Sequence, residues 1–261
     1  MHISIAAEPL FSFLGLQITN SLLTSWLVTL IFVIFAIYFH FRVDVKMIPG
    51  KLQNFVELIV SGFDGLIRDV ADEKAEELLP ILATFFLYIL FLNWFGLVPG
   101  VGSIGFTEIT HHEEIFVPIF RGGTADLNTT LALAIFSIIS VQVYGIKYLG
   151  FKNFIKKYID LSSPINFFVG ILEVFSEFSK IISFSFRLFG NVFAGEVLLT
   201  VMIFLIPFVL PAVFYGLELF VGLIQALIFM MLTLVFISAA SEGHDGGHEA
   251  DHELKEVAEV S

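Results

Sequence analysis

The sequence predicts an all-α polytopic membrane protein with five transmembrane helices, one interfacial amphipathic helix, and a hairpin formed by the last two, long helices. Two observations lead to this prediction. The chain of 261 residues is 57% hydrophobic with a mean hydropathy of +0.92, whereas soluble domains are about 45–50% apolar. It also contains several apolar runs of at least about 20 residues, the length that crosses the hydrocarbon core of a bilayer.

Five apolar runs define the spanning helices. They cover residues 21–41, 78–98, 127–148, 165–203 and 208–240. Trp26 and Tyr38 lie near the ends of the first run, where amphipathic rings favour the membrane interface. The last two runs form one apolar stretch that is too long for a single crossing. Pro207 and Pro211 break it, because proline cannot continue the hydrogen bonding of a helix, so two long facing helices are expected.

The segments outside these runs have distinct patterns. Residues 52–70 place apolar side chains on one side of a helix and polar ones on the other, which predicts a helix on the membrane surface. Residues 99–126 form a polar, glycine-rich loop. Its cluster at residues 111–114, with two His and two Glu, could bind a cation or collect protons, although such runs are usually solvated loops.

The membrane body, residues 1–241, is predicted to be a single domain followed by a tail. The tail, residues 242–261, holds seven acidic residues and one Lys, a composition typical of disorder. His244, His248 and His252 recur every four residues, but the glycines among them argue against a helix that could bind a metal. No metal or cofactor is therefore expected, and the absence of Cys excludes disulfides.

The distribution of Lys and Arg predicts the orientation. The segment 42–77 contains five of them and 145–163 contains four, while the segment before the first helix has none and the loop 99–126 has one. Because basic residues concentrate on the cytoplasmic side, the N-terminus is expected outside and the tail in the cytoplasm.

Ionisable residues inside the membrane indicate function, because each costs about 2.5–3.5 kcal/mol at the bilayer centre. One face of the fourth spanning helix carries polar residues at spacings of three or four: Glu173, Ser176, Lys180, Ser183, Arg187 and Asn191. Arg187 is the central candidate, since its flanking residues are apolar. Glu173 and Lys180 could instead reach the interface or pair with each other at i, i+7.

Three further polar residues lie in the last two spanning helices. Glu218 and Gln225 are seven residues apart and share a face of the final helix, with Gly222 between them allowing close approach. Glu196 projects to another side of its helix than Arg187, and the face with Glu218 is predicted to meet it. These residues could line a proton path, or they could form a hydrogen-bond cluster that only holds the helices together.

These charges suggest a mechanism. Arginine stays protonated at any working pH, so it cannot relay protons, but it can hold a passing carboxylate in its ionised form. Partly buried carboxylates can bind and release protons. Two water-filled routes on opposite sides of one Arg cannot exchange protons directly, so a moving partner with its own carboxylate is implied.

Four segments carry a family resemblance. Residues 184–196 (FSFRLFGNVFAGE), 223–242 (LIQALIFMMLTLVFISAASE), 93–100 (NWFGLVPG) and 125–134 (ADLNTTLALA) resemble, in order, parts of the a subunit of F-type ATP synthases. The resemblance implies a proton-translocating stator subunit with two half-channels in a bacterial inner membrane. It implies as partners a ring of c subunits, the b-subunit peripheral stalk, the rest of the complex and membrane lipid.

The resemblance also implies roles for individual residues. Arg187 matches the essential arginine that separates the half-channels, and the family uses the positions of Asn191, Glu196, Glu218 and Gln225 around the channels. Asp126 and Asn128 match polar positions of the outer route. The inner route corresponds to Glu173, Ser176 and Ser183.

Other functions remain open to test. The chain lacks a phosphate-binding loop motif, so it is expected to be a non-catalytic subunit without a nucleotide site. Without basic clusters interleaved with aromatic residues outside the membrane, nucleic acid is not an expected partner. The alternatives are a self-contained ion channel or secondary transporter, in which Arg187 binds an anionic substrate, and a structural scaffold.

Overall fold

A computed structural model describes residues 7–13, 15–42, 50–110, 113–158, 163–206 and 209–241. The predictions for His111, His112, Pro207 and the tail of residues 242–261 lie outside the described residues. The described parts of the chain contain seven α-helices and five short strands.

The helices confirm the predicted membrane class. They are α1 (Asn20–Arg42), α2 (Lys51–Ala71), α3 (Ala75–Phe95), α4 (Leu127–Leu149), α5 (Phe151–Tyr158), α6 (Pro164–Leu205) and α7 (Val209–Ser241). By length and composition, five described segments could cross a membrane: Asn20–Phe41, Lys51–Phe95, Leu127–Leu149, Pro164–Leu205 and Val209–Ser241. In the second segment, a turn at Asp72–Lys74 separates α2, which corresponds to the predicted surface helix, from α3.

Local signals explain where these helices begin and end. Ser163 accepts a hydrogen bond from the Ile165 backbone N–H at 3.3 Å and caps α6, whose first residue is Pro164. The second spanning helix begins and ends three residues before its predicted bounds of 78 and 98. Its first turn holds Glu76 and Glu77, which the positive end of the helix dipole favours.

Two β-hairpins occupy regions in which the sequence indicated no strands. The strands β1 (Pro9–Phe13) and β2 (Leu16–Thr19) pair before α1. The loop predicted at 99–126 contains β3 (Pro99–Gly102) and the antiparallel pair β4 (Gly105–Thr110) and β5 (Glu113–Pro118). Backbone pairing forms the hairpins β1–β2 and β4–β5, and each strand is too short to give a clear alternating pattern. The eight-residue α5 also lies where only a basic loop was expected, because so short a helix gives little periodic signal.

The core lies between α3, α4, α6 and α7. Its fully buried side chains include Leu82, Ile89, Leu188, Met230 and Leu234. Two hydroxyl pairs cross it, with Ser137 and Thr233 2.8 Å apart and Thr130 and Ser185 3.2 Å apart. Small polar residues of this kind let membrane helices approach closely and bond to each other.

The contact between α6 and α7 confirms the predicted long hairpin. The two helices are nevertheless covered unequally. Only 17% of the most apolar window of α6 is buried by the rest of the chain, against 44% for α7. Helix α6 therefore turns a long face away from its own chain.

Candidate functional site

Arg187 lies on the exposed face of α6. Its Nη2 donates a long hydrogen bond of 3.5 Å to the Ser183 hydroxyl. Among the described residues, no carboxylate forms an ion pair with it. Apolar Ile182 and Phe186 beside it are 57% and 56% exposed, and a Cβ added at Gly190 would meet nothing within 4 Å. The guanidinium thus faces outward, from a surface with room for another helix.

Asn191 continues the polar face and connects α6 to α7. Its Nδ2 donates to Oε1 of Gln225 at 2.5 Å. Gln225 is buried, with 4% of its surface exposed, whereas Asn191 is exposed. The predicted stripe therefore continues across the hairpin through an amide pair.

A cavity of about 740 Å³ opens beyond this amide pair. It lies between α6, α7, the end of α3 and the loop before α4. The side chains of Glu196, Glu218 and Gln225 line it, so the structure brings together the three residues that the helical periodicity placed on facing sides. Glu8, Asn93, Arg121 and Tyr215 add further polar groups to its wall.

Glu196 forms an ion pair with Arg121. Nη2 and Nε of Arg121 lie 3.1 Å and 3.3 Å from Oε2 of Glu196. Arg121 has only 7% of its side chain exposed, and its backbone N–H donates to Thr24 of α1 at 3.3 Å. An anchored, buried cation therefore holds one oxygen of this carboxylate with two donors.

Glu218 is positioned by a glycine. A Cβ added at Gly195 would overlap the Glu218 carboxylate, so this side chain lies directly on the backbone of α6. Glu218 is partly buried, and within the described part of the chain its carboxylate makes no hydrogen bond or ion pair. The carboxylates of Glu196 and Glu218 thus have different surroundings.

The end of α3 fixes the wall of the cavity. Asn93 Nδ2 donates to the carbonyl of Gly222 at 3.0 Å, and its Oδ1 accepts from the Thr124 hydroxyl at 2.7 Å. Trp94 Nε1 donates to the Leu219 carbonyl at 3.0 Å. These bonds connect α3 to the segment before α4 and to the turn of α7 that follows Glu218.

Asp126 and Asn128, expected on the outer route, do not line this cavity. The Asp126 side chain is 5% exposed and accepts from the Asn128 backbone N–H at 3.0 Å, which makes it the N-cap of α4. The Asn128 side chain is exposed. The role of both residues in the proton path stays a prediction. The geometry shows Asp126 as the cap of α4.

The opposite end of α6 carries ion pairs. Glu173 pairs with Lys157 of α5 at 2.8 Å, and Lys180 pairs with Glu177 at 2.8 Å. The considered i, i+7 pair of Glu173 with Lys180 is therefore wrong, because each side chain has a nearer partner. Ser176 is partly buried on the same helix, and Ser183 lies next to Arg187.

Tyr158 adds a donor to this end. Its hydroxyl donates to Oε1 of Gln142 at 2.9 Å. Burial, assisted by the negative charge of Glu177, raises the pKa of Tyr158 to about 12. The phenol therefore stays protonated at physiological pH and remains a hydrogen-bond donor.

Sequence reasoning missed Arg121, Gly195 and Glu177 as parts of these sites. Arg121 entered only the count of basic residues, although it is the one basic residue of the segment 99–126. A single basic residue in an otherwise uncharged-to-acidic loop, shortly before the ADLNTT segment, is the signal that could have identified it. Gly195 gives no signal in the sequence, because only the packing of α7 shows that it makes room for the Glu218 carboxylate.

Comparisons with known proteins agree on one family. The family model described as ATP synthase A chain matches residues 22–238. ATP synthase subunit a of Geotalea uraniireducens is 32% identical over 248 residues, 94% of this chain and 93% of that protein. The subunit a of Moorella thermoacetica is 31% identical over 88% of this chain and 94% of its own length. That of Gloeobacter violaceus is 33% identical, covering 87% and 85%.

Proposed function

This chain belongs to the ATP synthase A chain family, the non-catalytic, proton-conducting stator subunit of F-type ATP synthases, and we propose that Arg187 separates two proton routes within it. The supporting observation is the outward-facing guanidinium of Arg187, without a carboxylate partner among the described residues, on a helix that its own chain covers poorly. A ring of c subunits, each bringing a carboxylate to this face, is the proposed partner.

The outer route is the cavity with Glu196 and Glu218. Glu196 follows Arg187 by nine residues, so it lies about 13 Å further along the helix axis. Water in the cavity can bring protons to these carboxylates, and Asn191 and Gln225 lie between the cavity and Arg187. Asp126 and Asn128 are proposed to act near its entrance.

The inner route follows the other half of α6. Glu173 precedes Arg187 by fourteen residues, about 21 Å along the axis, and Ser176 and Ser183 lie between them. Arg187 blocks direct transfer between the routes because it cannot give up its proton. Protons must then travel on the moving ring, and each charge that falls through 100 mV releases about 2.3 kcal/mol for rotation.

The charge distribution supports an orientation. Helix α5 carries three of the Lys residues of the segment 145–163, and basic residues of short loops favour the cytoplasm. The end of α6 with Glu173 is then cytoplasmic, and the cavity with Glu196 opens outside. We place the chain in a bacterial inner membrane, with the b-subunit peripheral stalk and membrane lipid as further partners.

The test uses the whole ATP synthase reconstituted in vesicles. Arg187→Ala and Arg187→Lys are expected to abolish acid-driven ATP synthesis, since Lys lacks the planar fork of the guanidinium. Arg68→Ala is the matched control, because Arg68 is an exposed arginine of α2 that pairs with Asp64 and Glu76. It should synthesise ATP at close to the wild-type rate.

Synthesis retained in Arg187→Ala would refute the proposal. The transporter alternative predicts instead that the purified chain alone carries ions at the rate of the complex. Flux measured on the chain with and without its ring separates the two.

A further inference from the structure

Helix α5 is packed on one side and open on the other. On the packed side Phe154 is buried, and a Cβ added at Gly145 of α4 would come within 2.7 Å of its ring. A Cβ added at Gly170 of α6 would overlap the carbonyl of Tyr158. Two glycines therefore make room for α5 and let it pack closely against α4 and α6.

Two polar contacts fix the rotation of α5 about its own axis. The Tyr158 hydroxyl donates to Oε1 of Gln142 on α4 at 2.9 Å, and Lys157 pairs with Glu173 of α6 at 2.8 Å. Because both neighbours are long membrane helices, α5 can roll only by breaking these contacts. The packing therefore sets which side chains of α5 face outward.

The depth of α5 in the membrane follows from the same contacts. Helix α4 has 23 residues, which gives a length of about 34 Å, close to the thickness of a hydrocarbon core. Gly145 and Gln142 lie about 6 Å and about 10 Å before its last residue, Leu149, along the axis. Since α5 contacts both residues, it lies beside the last two turns of α4, at the depth of the lipid headgroups.

The outward side of α5 has an apolar part and a basic part. Phe151 and Ile155, four residues apart, are 65% and 39% exposed. Lys152 and Lys156 are also exposed and repeat at the same spacing, about 100° further round the helix. Among the described residues, no carboxylate pairs with either Lys. An interfacial helix of this kind places apolar side chains among acyl chains and ammonium groups at the headgroups.

We propose that α5 binds an anionic phospholipid, with Lys152 and Lys156 on its phosphate-containing headgroup and Phe151 and Ile155 against its acyl chains. A soluble anion would use only the two cations, and a neutral lipid would use only the apolar pair. An anionic lipid uses both. The inference needs only the membrane-spanning fold, and it goes beyond the proton routes.

Electrostatics give the expected size of the preference. One Lys at a membrane surface strengthens the attraction to anionic lipid by about fivefold, so two together give about 25-fold. Lys157 adds less, because Glu173 pairs with it.

Photocrosslinking on the whole ATP synthase in nanodiscs tests the site. The nanodiscs are phosphatidylcholine with an equal small fraction of either photoactivatable phosphatidylglycerol or photoactivatable phosphatidylcholine, and mass spectrometry measures the label on residues 151–158. The ratio of the two labels should be at least about tenfold in favour of phosphatidylglycerol. In Lys152→Gln/Lys156→Gln the ratio should fall to within about twofold of one. Lys152→Arg/Lys156→Arg keeps both charges and should keep the ratio; its loss there would contradict an electrostatic contact.

A matched variant separates this site from the net charge of the region. Lys74→Gln/Lys147→Gln also removes two cations at this end of the spanning helices. Those cations have partners in the chain, since Lys147 pairs with Glu77 at 2.5 Å and Lys74 lies over the Tyr148 ring at 4.7 Å. This variant should keep the wild-type ratio to within about twofold.

Three results would overturn the inference. A wild-type ratio near one would show no preference for anionic lipid. An equal fall of the ratio in Lys74→Gln/Lys147→Gln would assign the preference to net charge. Displacement of the label by excess inorganic phosphate would identify a site for soluble anions instead.

Assembly and the proposed function are checked separately. Copurification of the ring reports assembly for each variant. If the double Gln variant does not assemble, Lys152→Gln and Lys156→Gln alone should each lower the ratio by about fivefold, and an unchanged ratio in both would contradict the inference. Arg187→Ala should abolish synthesis and leave the ratio unchanged, so failure of the proton routes and failure of the lipid site are told apart.

Discussion

Replacing Gly195 by alanine tests the geometry of the outer cavity directly. Ordinary contacts of a Cβ begin at 3.4 Å, and a Cβ at this position would overlap the Glu218 carboxylate. The carboxylate must therefore retreat from α6 by more than about 1 Å, a displacement that can lower a reaction rate by about 100-fold. We expect proton-driven ATP synthesis to fall by between about 10- and 100-fold.

Helix stability cannot explain such a loss. Alanine is favoured over glycine in a helix interior by about 1 kcal/mol, so the substitution should stabilise α6 locally. The assay is acid-driven ATP synthesis by the complex in vesicles, with ring copurification as the measure of assembly. Gly216→Ala is the matched control on α7, because a Cβ there meets nothing within 4 Å.

A second substitution makes the steric argument sharper. Glu218→Asp shortens the side chain by one methylene and withdraws its carboxylate from residue 195. The double variant Gly195→Ala/Glu218→Asp should therefore exceed Gly195→Ala in synthesis. Wild-type synthesis in Gly195→Ala, or an equal loss in Gly216→Ala, would refute the reasoning.

Two further predictions concern stability and orientation. Asn93→Leu removes the hydrogen bonds to Gly222 and Thr124. Each buried polar group left unpaired should cost about 1–3 kcal/mol of stability, so thermal unfolding in detergent should show a lower Tm. An unchanged Tm would contradict this prediction. The chain has no Cys, so Ser103→Cys and Lys152→Cys each supply a single labelling site. A membrane-impermeant thiol reagent applied to intact cells should label the first and spare the second, and the reverse pattern would invert the proposed orientation.

The helices could be predicted because their signal is local. An apolar run long enough to cross a membrane is visible in the sequence itself, and the predicted ends of α6 and α7 lie within two residues of the observed ones. Pro211 lies in the first turn of α7, where proline is tolerated. The break of the long apolar stretch could therefore be placed without knowledge of the packing.

The missing parts of the site depend on contacts between distant segments. Arg121 and Glu196 are 75 residues apart, and Gly195 matters only because Glu218 of the next helix reaches it. Helical periodicity predicts that Glu196 and Glu218 lie on facing surfaces. It cannot predict where a loop residue such as Arg121 lies, because a loop has no helical repeat. The charge partner of Glu196 and the space for Glu218 therefore appear only in three dimensions.

The partners of three arginine side chains in this structure differ. Arg68 has Asp64 at 2.7 Å and Glu76 at 3.2 Å, and Arg121 has Glu196 at 3.1 Å. Arg187 lies in the middle of an apolar helix, where the cost of a charge is greatest, yet within the described ranges its one hydrogen-bond partner is the Ser183 hydroxyl at 3.5 Å. Under the proposed function, a carboxylate from another chain completes this site. If the outer cavity and the inner route are the two proton routes, as we propose, only a carboxylate that moves can meet both, and the proposal therefore requires a partner that rotates past Arg187.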